Sequence, residues 1–445
     1  MFLSITATAQ NTITLKQAIN NGLSNRKNIT AGKLDIDIRK LQTQTLYRKY
    51  LPQISAEYTY LYNPILQTSI LPIGIFNPTF PPDATKSVQF GTKWSQSIGL
   101  TVYQPLLDVS VKRNINVAKL QERITNASQA QSEYEIAASV AQTYIDVILQ
   151  KAKIKTAIAD TSRTFISYKL LKNKFDEKRL LKSDLNKSLI NHNNALQQHA
   201  DAVSLLIENK VYLLFLMGEK NIEKADFEID TDFVENYLLK DLQTNISTTN
   251  QQTEQLANQI PELQQLALQS ELATLQTKSE KAKYMPTIGI KGFIGANQFT
   301  NTFDPLAANS WFGLSYVGLN AKLPLLFGEN KRNKLQEFKL QSDQYILQKE
   351  DKTTQYTKDA LTSKLKIENI QSKLKTQEKN LVLSLESMLI IQARVQEGQE
   401  TASTLNLDEA NLQSLQAEYE TNKKQLWAYW LNYLKATGQL STLWK

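Results

Sequence analysis

The chain contains 445 residues, has no cysteine and carries a formal net charge of +8. The absence of cysteine excludes disulfides and thiolate metal sites, and a mean hydropathy of −0.38 excludes a bundle of membrane-spanning helices. Because the basic residues are interspersed with Glu and Asp along helix-like stretches, the charge indicates solvated helix faces, and no nucleic-acid partner is expected.

The N-terminus has the small residues Ala7 and Ala9 spaced as at a signal-peptidase site. This spacing predicts that residues 1–9 are the remnant of a signal peptide and that the mature chain starts near Gln10. An ordinary frayed terminus is the alternative interpretation.

Two segments of the chain recur in the same order. Residues 50–54 recur at 284–288, and residues 98–107 recur at 317–326. Each copy is followed by a long polar stretch. A tandem repeat of this length indicates two equivalent structural units in a symmetric assembly rather than one catalytic cleft.

The repeat predicts a division of the chain into two units joined by an equatorial segment. The first unit spans 10–218 and the second 258–445, with the inter-repeat segment at 219–257. Each unit is expected to contain a helix, a β-hairpin and a long helical hairpin. The β-hairpins are expected at about 52–104 and about 286–323.

Very long helices are predicted because helix-breaking residues are rare outside two windows. No glycine or proline lies between Pro105 and Gly218, and only Gly398 interrupts residues 335–437. We expect each stretch to fold back near its middle. A coiled-coil seam is indicated by apolar residues that repeat about every 3.5 positions, namely Tyr134, Ala137, Ala138, Ala141, Tyr144, Ile145, Ile148 and Leu149.

Four segments alternate between apolar and polar residues, which predicts strands at 52–62, 88–103, 287–297 and 311–322. An apolar face opposed by a charged face is typical of a transmembrane strand with a wet lumen. We expect one face to meet lipid through Ile54, Tyr58, Ile98, Leu100, Ile290 and Val317. The candidate lumen residues on the other face are Glu57, Lys93, Lys291 and Lys322.

Four prolines stand near the boundaries between helix and strand. Proline fixes its own φ and restricts the preceding residue to extended values. We therefore expect junctions at Pro52, Pro105, Pro286 and Pro324, with Pro105 and Pro324 opening the helices that follow.

Four strands cannot close a transmembrane barrel, because the open sheet edges would leave backbone groups unpaired in lipid. Several chains must therefore share one barrel. Two chains would give about eight strands and a mostly filled interior, whereas three would give about twelve and can hold water. A conduit favours three chains.

Several motifs resemble the TolC-like outer-membrane efflux family over nearly the whole chain. Residues 258–263 and 280–286 are similar to conserved segments of that family, and 25–29 with 47–52 form a degenerate first copy. The segments 99–106 and 318–325 resemble its strand-to-helix junctions, and 397–405 resembles its second helix–helix turn.

The resemblance implies a mixed α+β membrane protein with long antiparallel coiled-coil hairpins and four transmembrane strands per chain. It implies a homotrimer with a twelve-stranded β-barrel in the outer membrane of a Gram-negative bacterium and an α-helical barrel in the periplasm. The function would be passive export in a tripartite efflux or type I secretion system. The partners would be outer-membrane lipid, a periplasmic adaptor and an inner-membrane pump of the RND, ABC or MFS type.

The turns near 174–186 and 394–408 would then form the tunnel entrance, at the ends of the helices farthest from the membrane. Lys178 stands where the family has a glycine in the first turn. The family's acidic ring would fall at Thr404 and Leu407. The candidate entrance-lining residues are Asp184, Lys187, Thr404 and Asp408.

A periplasmic coiled-coil adaptor and a structural coiled-coil protein are the alternatives. Neither explains two strand pairs in matching positions. No Ser/His/Asp set supports an enzyme, and no cofactor is expected. No metal site is predicted either, because His192 and His199 are seven residues apart, which is too far to chelate one ion.

Overall fold

The computed structural model describes residues 12–73, 79, 81, 83–223, 227–231, 259–306, 311–324 and 330–445. The expected signal-peptide remnant at 1–9 and most of the segment 219–257 lie outside these residues. In the described part of the chain, no helix is both long and apolar enough to cross a membrane.

In chain order, the elements are β1 (Thr12–Ile13), α1 (Leu15–Asn25), α2 (Lys27–Arg48), β2 (Gln53–Tyr62), β3 (Gln67–Pro72), β4 (Thr85–Phe90), β5 (Trp94–Leu107), α3 (Val109–Asp176), α4 (Lys182–Met217), β6 (Glu228–Ile229), α5 (Pro261–Ala282), β7 (Thr287–Thr300), β8 (Trp311–Lys322), α6 (Asn330–Glu397), α7 (Ala402–Ala436) and a short 3₁₀ helix (Gln439–Leu443).

The helices repeat in length as well as in order. Helices α2 and α5 have 22 residues each, α3 and α6 have 68 each, and α4 and α7 have 36 and 35. The predicted long hairpins are therefore present in both halves. The first fold-back lies at 177–181 and the second at 398–401, within the windows that the sequence predicted.

One compact unit contains residues up to 36, 123–269 and 344–445. Its largest apolar core includes Ile19, Tyr144 and Trp427. The coiled-coil seam predicted on α3 is mostly buried there, as expected for a helix packed along that stripe. The Tyr144 hydroxyl lies 2.8 Å from the carbonyl oxygen of Ile13 and 2.9 Å from that of Asp230, at the end of the parallel pair β1–β6.

The second compact unit contains residues 37–122 and 270–343. Its main feature is a four-stranded sheet in the order β2-β5-β7-β8, antiparallel throughout. Each predicted hairpin therefore forms, and β5 pairs with β7 to join the two. Strands β3 and β4 form a separate antiparallel pair, which was not predicted from the sequence.

The prediction of a single strand at 88–103 is wrong. Residues 85–90 pair with β3, and the strand of the sheet starts only at Trp94. Lys93 lies in the turn between them, where its amide donates to Asn301 Oδ1 at 3.2 Å and its carbonyl accepts from the Asn63 amide at 2.7 Å. Lys93 is thus not a strand residue, because these turn contacts end the alternation before Trp94.

The junction prolines follow the prediction in part. Pro52 and Pro286 immediately precede β2 and β7. Pro105, however, lies inside β5, beside a register shift where the strand tolerates a missing N–H. Helix α3 begins later because Asp108 Oδ1 accepts from the amides of Ser110 and Val111, at 2.9 and 3.3 Å, and caps its N-terminus.

In the second repeat, Pro324 follows β8 by two residues, and α6 begins at Asn330. The prediction that Pro105 opens a helix is therefore wrong. Residues 325–329, which separate Pro324 from Asn330, lie outside the described part of the chain, so the same prediction for Pro324 stays a prediction.

Candidate functional site

The pairing register decides which side chains share a face of the sheet. Glu57 is opposite Gly99, Gly99 is opposite Gly295, and Lys291 is opposite Gly318. Because opposed residues point to the same side and successive residues alternate, Glu57 and Lys291 share one face. Lys322, opposite Thr287, falls on that face as well.

The other face of the sheet is apolar and exposed. Ile54 is opposite Val102, and Gly292 is opposite Val317. The exposed fractions of Ile54 and Val317 are 70% and 81%, far above those of core side chains. All six predicted lipid-facing residues lie on this face. A contiguous exposed apolar surface of this kind marks a site of contact with a membrane or with another protein.

The charged face also carries aromatic rings that cover glycines. A Cβ on Gly99 or Gly295 would lie 2.4 or 2.7 Å from Phe293 Cζ, so the Phe293 ring occupies the space above both. Tyr316, opposite Phe293, stacks on it with ring centroids 5.7 Å apart. This contact explains why Tyr316 is out of phase with the apolar pattern of β8.

A buried amide pair interrupts the apolar face. Gln96 and Gln298 lie opposite each other, and the Gln96 side chain donates to Gln298 Oε1. The Tyr58 hydroxyl donates to Gln96 Oε1 at 2.7 Å. This pair was not predicted from the sequence. Gln96 lies in phase with the apolar residues of its strand, and that misfit is the signal that could have revealed it, whereas Gln298 lies one residue beyond the predicted strand.

Aromatic side chains cluster beside this amide pair. The ring centroids of Tyr62 and Trp94 are 4.4 Å apart, and those of Trp94 and Phe303 are 5.0 Å apart. Tyr60 also contacts Trp94, at 5.4 Å. Aromatic rings with polar tips at one end of an apolar strand face are typical of the boundary between lipid and water.

The two helical hairpins turn in the same way. Arg179 N donates to Lys174 O at 2.8 Å, and Gln399 N donates to Arg394 O at 2.9 Å. Both bonds span five residues, which is the Schellman motif that ends a helix. The residue in left-handed conformation is Gly398 in the second turn and Lys178 in the first.

The candidate entrance residues lie just beyond these turns. Asp184 and Thr404 are each the third residue of their helix, α4 and α7, so they occupy equivalent positions. The Asp184 carboxylate lies 3.5 Å from Lys187 Nζ, and Lys187 is exposed. Asp408 Oδ2 accepts from Ser387 Oγ at 3.3 Å.

The two tips pack against each other through an apolar cluster. Leu171, Met388 and Leu405 are fully buried in it. The Asn406 side chain donates to the carbonyl oxygen of Asp184 at 3.2 Å and so links the start of α4 to α7. The structure thus brings Asp184, Thr404 and Asp408 into one region of helix ends within a single compact unit.

A buried ionic network lies farther along the same helices. Arg163 on α3 donates to Asp160 Oδ1 at 2.8 Å and to Glu409 Oε2 on α7 at 3.2 Å. Ser167 Oγ donates to Glu409 Oε1 at 2.8 Å, and the Gln416 side chain donates to Asp160 Oδ1 at 3.1 Å. Burial raises the pKa of Asp160, although Arg163 and Gln416 oppose the shift.

The network was not predicted from the sequence, because charged residues on a long polar helix are indistinguishable from solvated ones until the partner helix is placed. The two histidines are not part of it. His192 Nδ1 lies 3.2 Å from Thr164 Oγ1, and its ring stacks on Tyr168. No cluster of metal-ligating side chains is present among the described residues.

Comparison with known proteins confirms the resemblance to outer-membrane efflux proteins. Residues 253–439 match the family model described as outer membrane efflux protein. No curated protein matches the chain by sequence.

Solved structures share the fold over nearly the whole chain. The outer membrane protein VceC from Vibrio cholerae superposes with a TM-score of 0.73 at 14% identity, covering 95% of this chain and 96% of that one. The CmeC outer membrane channel of Campylobacter jejuni gives 0.72 at 12% identity, covering 96% and 85%. The open state of the MtrE outer membrane channel of Neisseria gonorrhoeae gives 0.68 at 14% identity, covering 96% and 89%. The chain therefore has the mixed, predominantly helical fold of outer-membrane efflux channels.

Proposed function

We propose that this chain is the outer-membrane channel of a tripartite efflux or type I secretion system. It would form a passive conduit across the periplasm and outer membrane of a Gram-negative bacterium. The observation that carries the proposal is the sheet, which has one exposed apolar face, one charged face and two edge strands, β2 and β8, with no further partner among the described strands.

The edge strands require a homo-oligomer. In lipid, each unpaired backbone group at an open edge costs several kcal/mol, so β2 of one copy must pair with β8 of the next. Three copies of a four-stranded sheet give a barrel of about twelve strands, which leaves room for a water-filled lumen. Two copies would give about eight strands, and side chains would fill most of that interior. Glu57, Lys291 and Lys322 would line that lumen, and Ile54 and Val317 would face lipid.

The long hairpins support a helical conduit in the periplasm. A helix of 68 residues is roughly 100 Å long. Such helices from three chains would form the wall of a tunnel, with the turns at 177–181 and 398–401 at its entrance. Energy and substrate selection would come from an adaptor and an inner-membrane pump, as the resemblance to outer-membrane efflux proteins implies.

The test compares the assembled channel with the alternatives of a soluble adaptor or a structural coiled coil. We expect the full-length protein in the outer-membrane fraction, running without boiling in SDS at three times the mass of the chain. Reconstitution into planar bilayers should give discrete conductance steps. A monomeric protein in the periplasmic fraction, without conductance, would refute the proposal and favour the adaptor or structural alternative.

A further inference from the structure

A cavity of about 390 Å³ lies between α5, α6 and α7, within the compact unit that also contains the helix tips. Small-molecule sites in proteins usually occupy about 300–1,000 Å³, so the cavity is large enough for a small organic compound. Its charged lining residues are Glu262, Lys352, Asp359, Lys366 and Lys435.

The two carboxylates of the cavity are already neutralised by their neighbours. Glu262 Oε1 lies 3.1 Å from Lys352 Nζ, and the Tyr356 hydroxyl donates to Glu262 Oε2 at 2.6 Å. Asp359 Oδ1 lies 2.9 Å from Lys358 Nζ. Burial and the Glu262 carboxylate raise the pKa of Tyr356, so this hydroxyl stays a donor.

Two lysines of the cavity are not neutralised in this way. Within the described residues, neither Lys366 nor Lys435 makes an ion pair. The Lys366 ammonium lies 4.8 Å from the centroid of the Tyr429 ring, which holds it at the cavity wall. Ser363, a largely buried residue, also lines the cavity, so the lining contains a hydroxyl group as well as positive charge.

We propose that this cavity binds a small organic anion, with its carboxylate between Lys366 and Lys435 and its apolar body against Tyr429 and Tyr356. A carboxylate fits because it can accept charge-assisted hydrogen bonds from both ammonium groups. These bonds would replace the hydrogen bonds that the two ammonium groups make to water. An apolar body fits because two tyrosine rings form part of the wall and because an inorganic ion would leave most of the volume unfilled. The inference concerns the helical unit alone and is independent of the proposed channel function.

The experiment is calorimetric titration of the full-length protein, in nonionic detergent, with benzoate. Benzyl alcohol has the same ring without the charge and serves as the ligand control. We expect saturable benzoate binding with a Kd of about 1 mM, as for a compound of this size. Benzyl alcohol should give no saturable heat.

Substitutions distinguish benzoate binding in the cavity from nonspecific binding to the rest of the protein or to the detergent micelle. Lys366→Met and Lys435→Met should each weaken benzoate binding by about tenfold, because each keeps the apolar stem and loses the charge. Lys364→Met, on the same helix but outside the cavity lining, is the matched control and should bind as the parent does. Unsaturable benzoate binding, equally tight binding of benzyl alcohol, or parent-like benzoate affinity in both Lys366→Met and Lys435→Met would each overturn the proposal.

Discussion

Lys178 and Gly398 occupy the same position in the two helical hairpins, and both have a left-handed backbone, with φ of 61° and 80°. In each turn the next amide donates back across five residues to the helix, from Arg179 to Lys174 and from Gln399 to Arg394. The backbone of the repeat is thus conserved while the side chain is not. A left-handed residue with a Cβ costs about 1 kcal/mol more than glycine, so the first turn stores strain that the second does not.

We expect Lys178→Gly to stabilise the first hairpin by about 1 kcal/mol and Gly398→Lys to destabilise the second by a similar amount. Hydrogen exchange of the amides around each turn, together with thermal unfolding, would measure both. The two variants are matched controls, since each places one repeat's residue into the other repeat. Equal and opposite effects support the strain argument, and a loss of stability in Lys178→Gly contradicts it.

The N-terminal cap of the helix that follows each turn is also more favourable in the second repeat than in the first. Thr401 Oγ1 accepts from the Thr404 amide at 3.2 Å and caps α7, whereas Leu181 precedes α4 with no side-chain cap. Leu181→Thr should therefore stabilise α4 by about 1 kcal/mol, and Thr401→Leu should destabilise α7 by about as much. Thermal midpoints of both variants, with Thr401→Ser as the conservative control, test the prediction. A destabilised Leu181→Thr would indicate that the exposed Leu181 side chain has a contact that outweighs the cap.

The faces of the sheet can be tested by cysteine labelling, because the natural chain has no cysteine. Cysteine at Glu57 or Lys291 should react with a charged, water-soluble thiol reagent in intact outer membranes. Cysteine at Ile54 or Val317 should not, because the proposed barrel places lipid against that face. The opposite pattern would reverse the lumen and lipid assignments, and Val317→Arg should cost roughly 2–4 kcal/mol if lipid covers the site.

The elements could be predicted from the sequence wherever a pattern is local. Period-two alternation located β2, β7 and β8 within a few residues, and the scarcity of glycine and proline located the four long helices. The turn at Gly398 was visible for the same reason. These signals depend only on neighbours along the chain.

The rest depends on partners that are distant in sequence. Lys93 is placed by its contacts with Asn63 and Asn301, and Pro105 lies beside a register shift that only the pairing with β7 defines. Tyr316 lies out of phase because the Phe293 ring lies across from it. No single-strand pattern contains such information, so these residues were assigned wrongly or left unexplained.

The buried network predicts a pH-dependent defect. Arg163→Met leaves Asp160 and Glu409 buried without their cation, and breaking such a pair costs about 3–5 kcal/mol at neutral pH. The pKa of Asp160, which burial already raises, would then rise further above its unfolded value, because Arg163 no longer opposes the shift. That raised pKa contributes stability at low pH, which is lost as the pH rises through the folded-state value.

Thermal unfolding from pH 4 to pH 8 measures this effect. The difference in midpoint between Arg163→Met and the parent should be largest at pH 8 and should shrink toward pH 4. The double variant Arg163→Met with Glu409→Gln is the control, because it removes one buried charge and should recover part of the loss at neutral pH. A defect of equal size at every pH would show that Arg163 acts through packing rather than charge.

The acidic residues near the helix starts predict how the proposed entrance responds to cations. Asp184 lies beside Lys187 at 3.5 Å, and both Asp184 and Asp408 are only half-buried. If these carboxylates line a constriction, Asp184→Asn and Asp408→Asn should lower single-channel conductance for cations and weaken block by multivalent cations in planar bilayers.

Lys187→Gln should shift both quantities the other way, because it removes the opposing charge. Asp37→Asn, which removes an exposed carboxylate paired with Lys40 in the other compact unit, is the control for the change in net charge. Conductance and block that match the parent in both Asp variants would remove Asp184 and Asp408 from the entrance while leaving the proposed channel function intact.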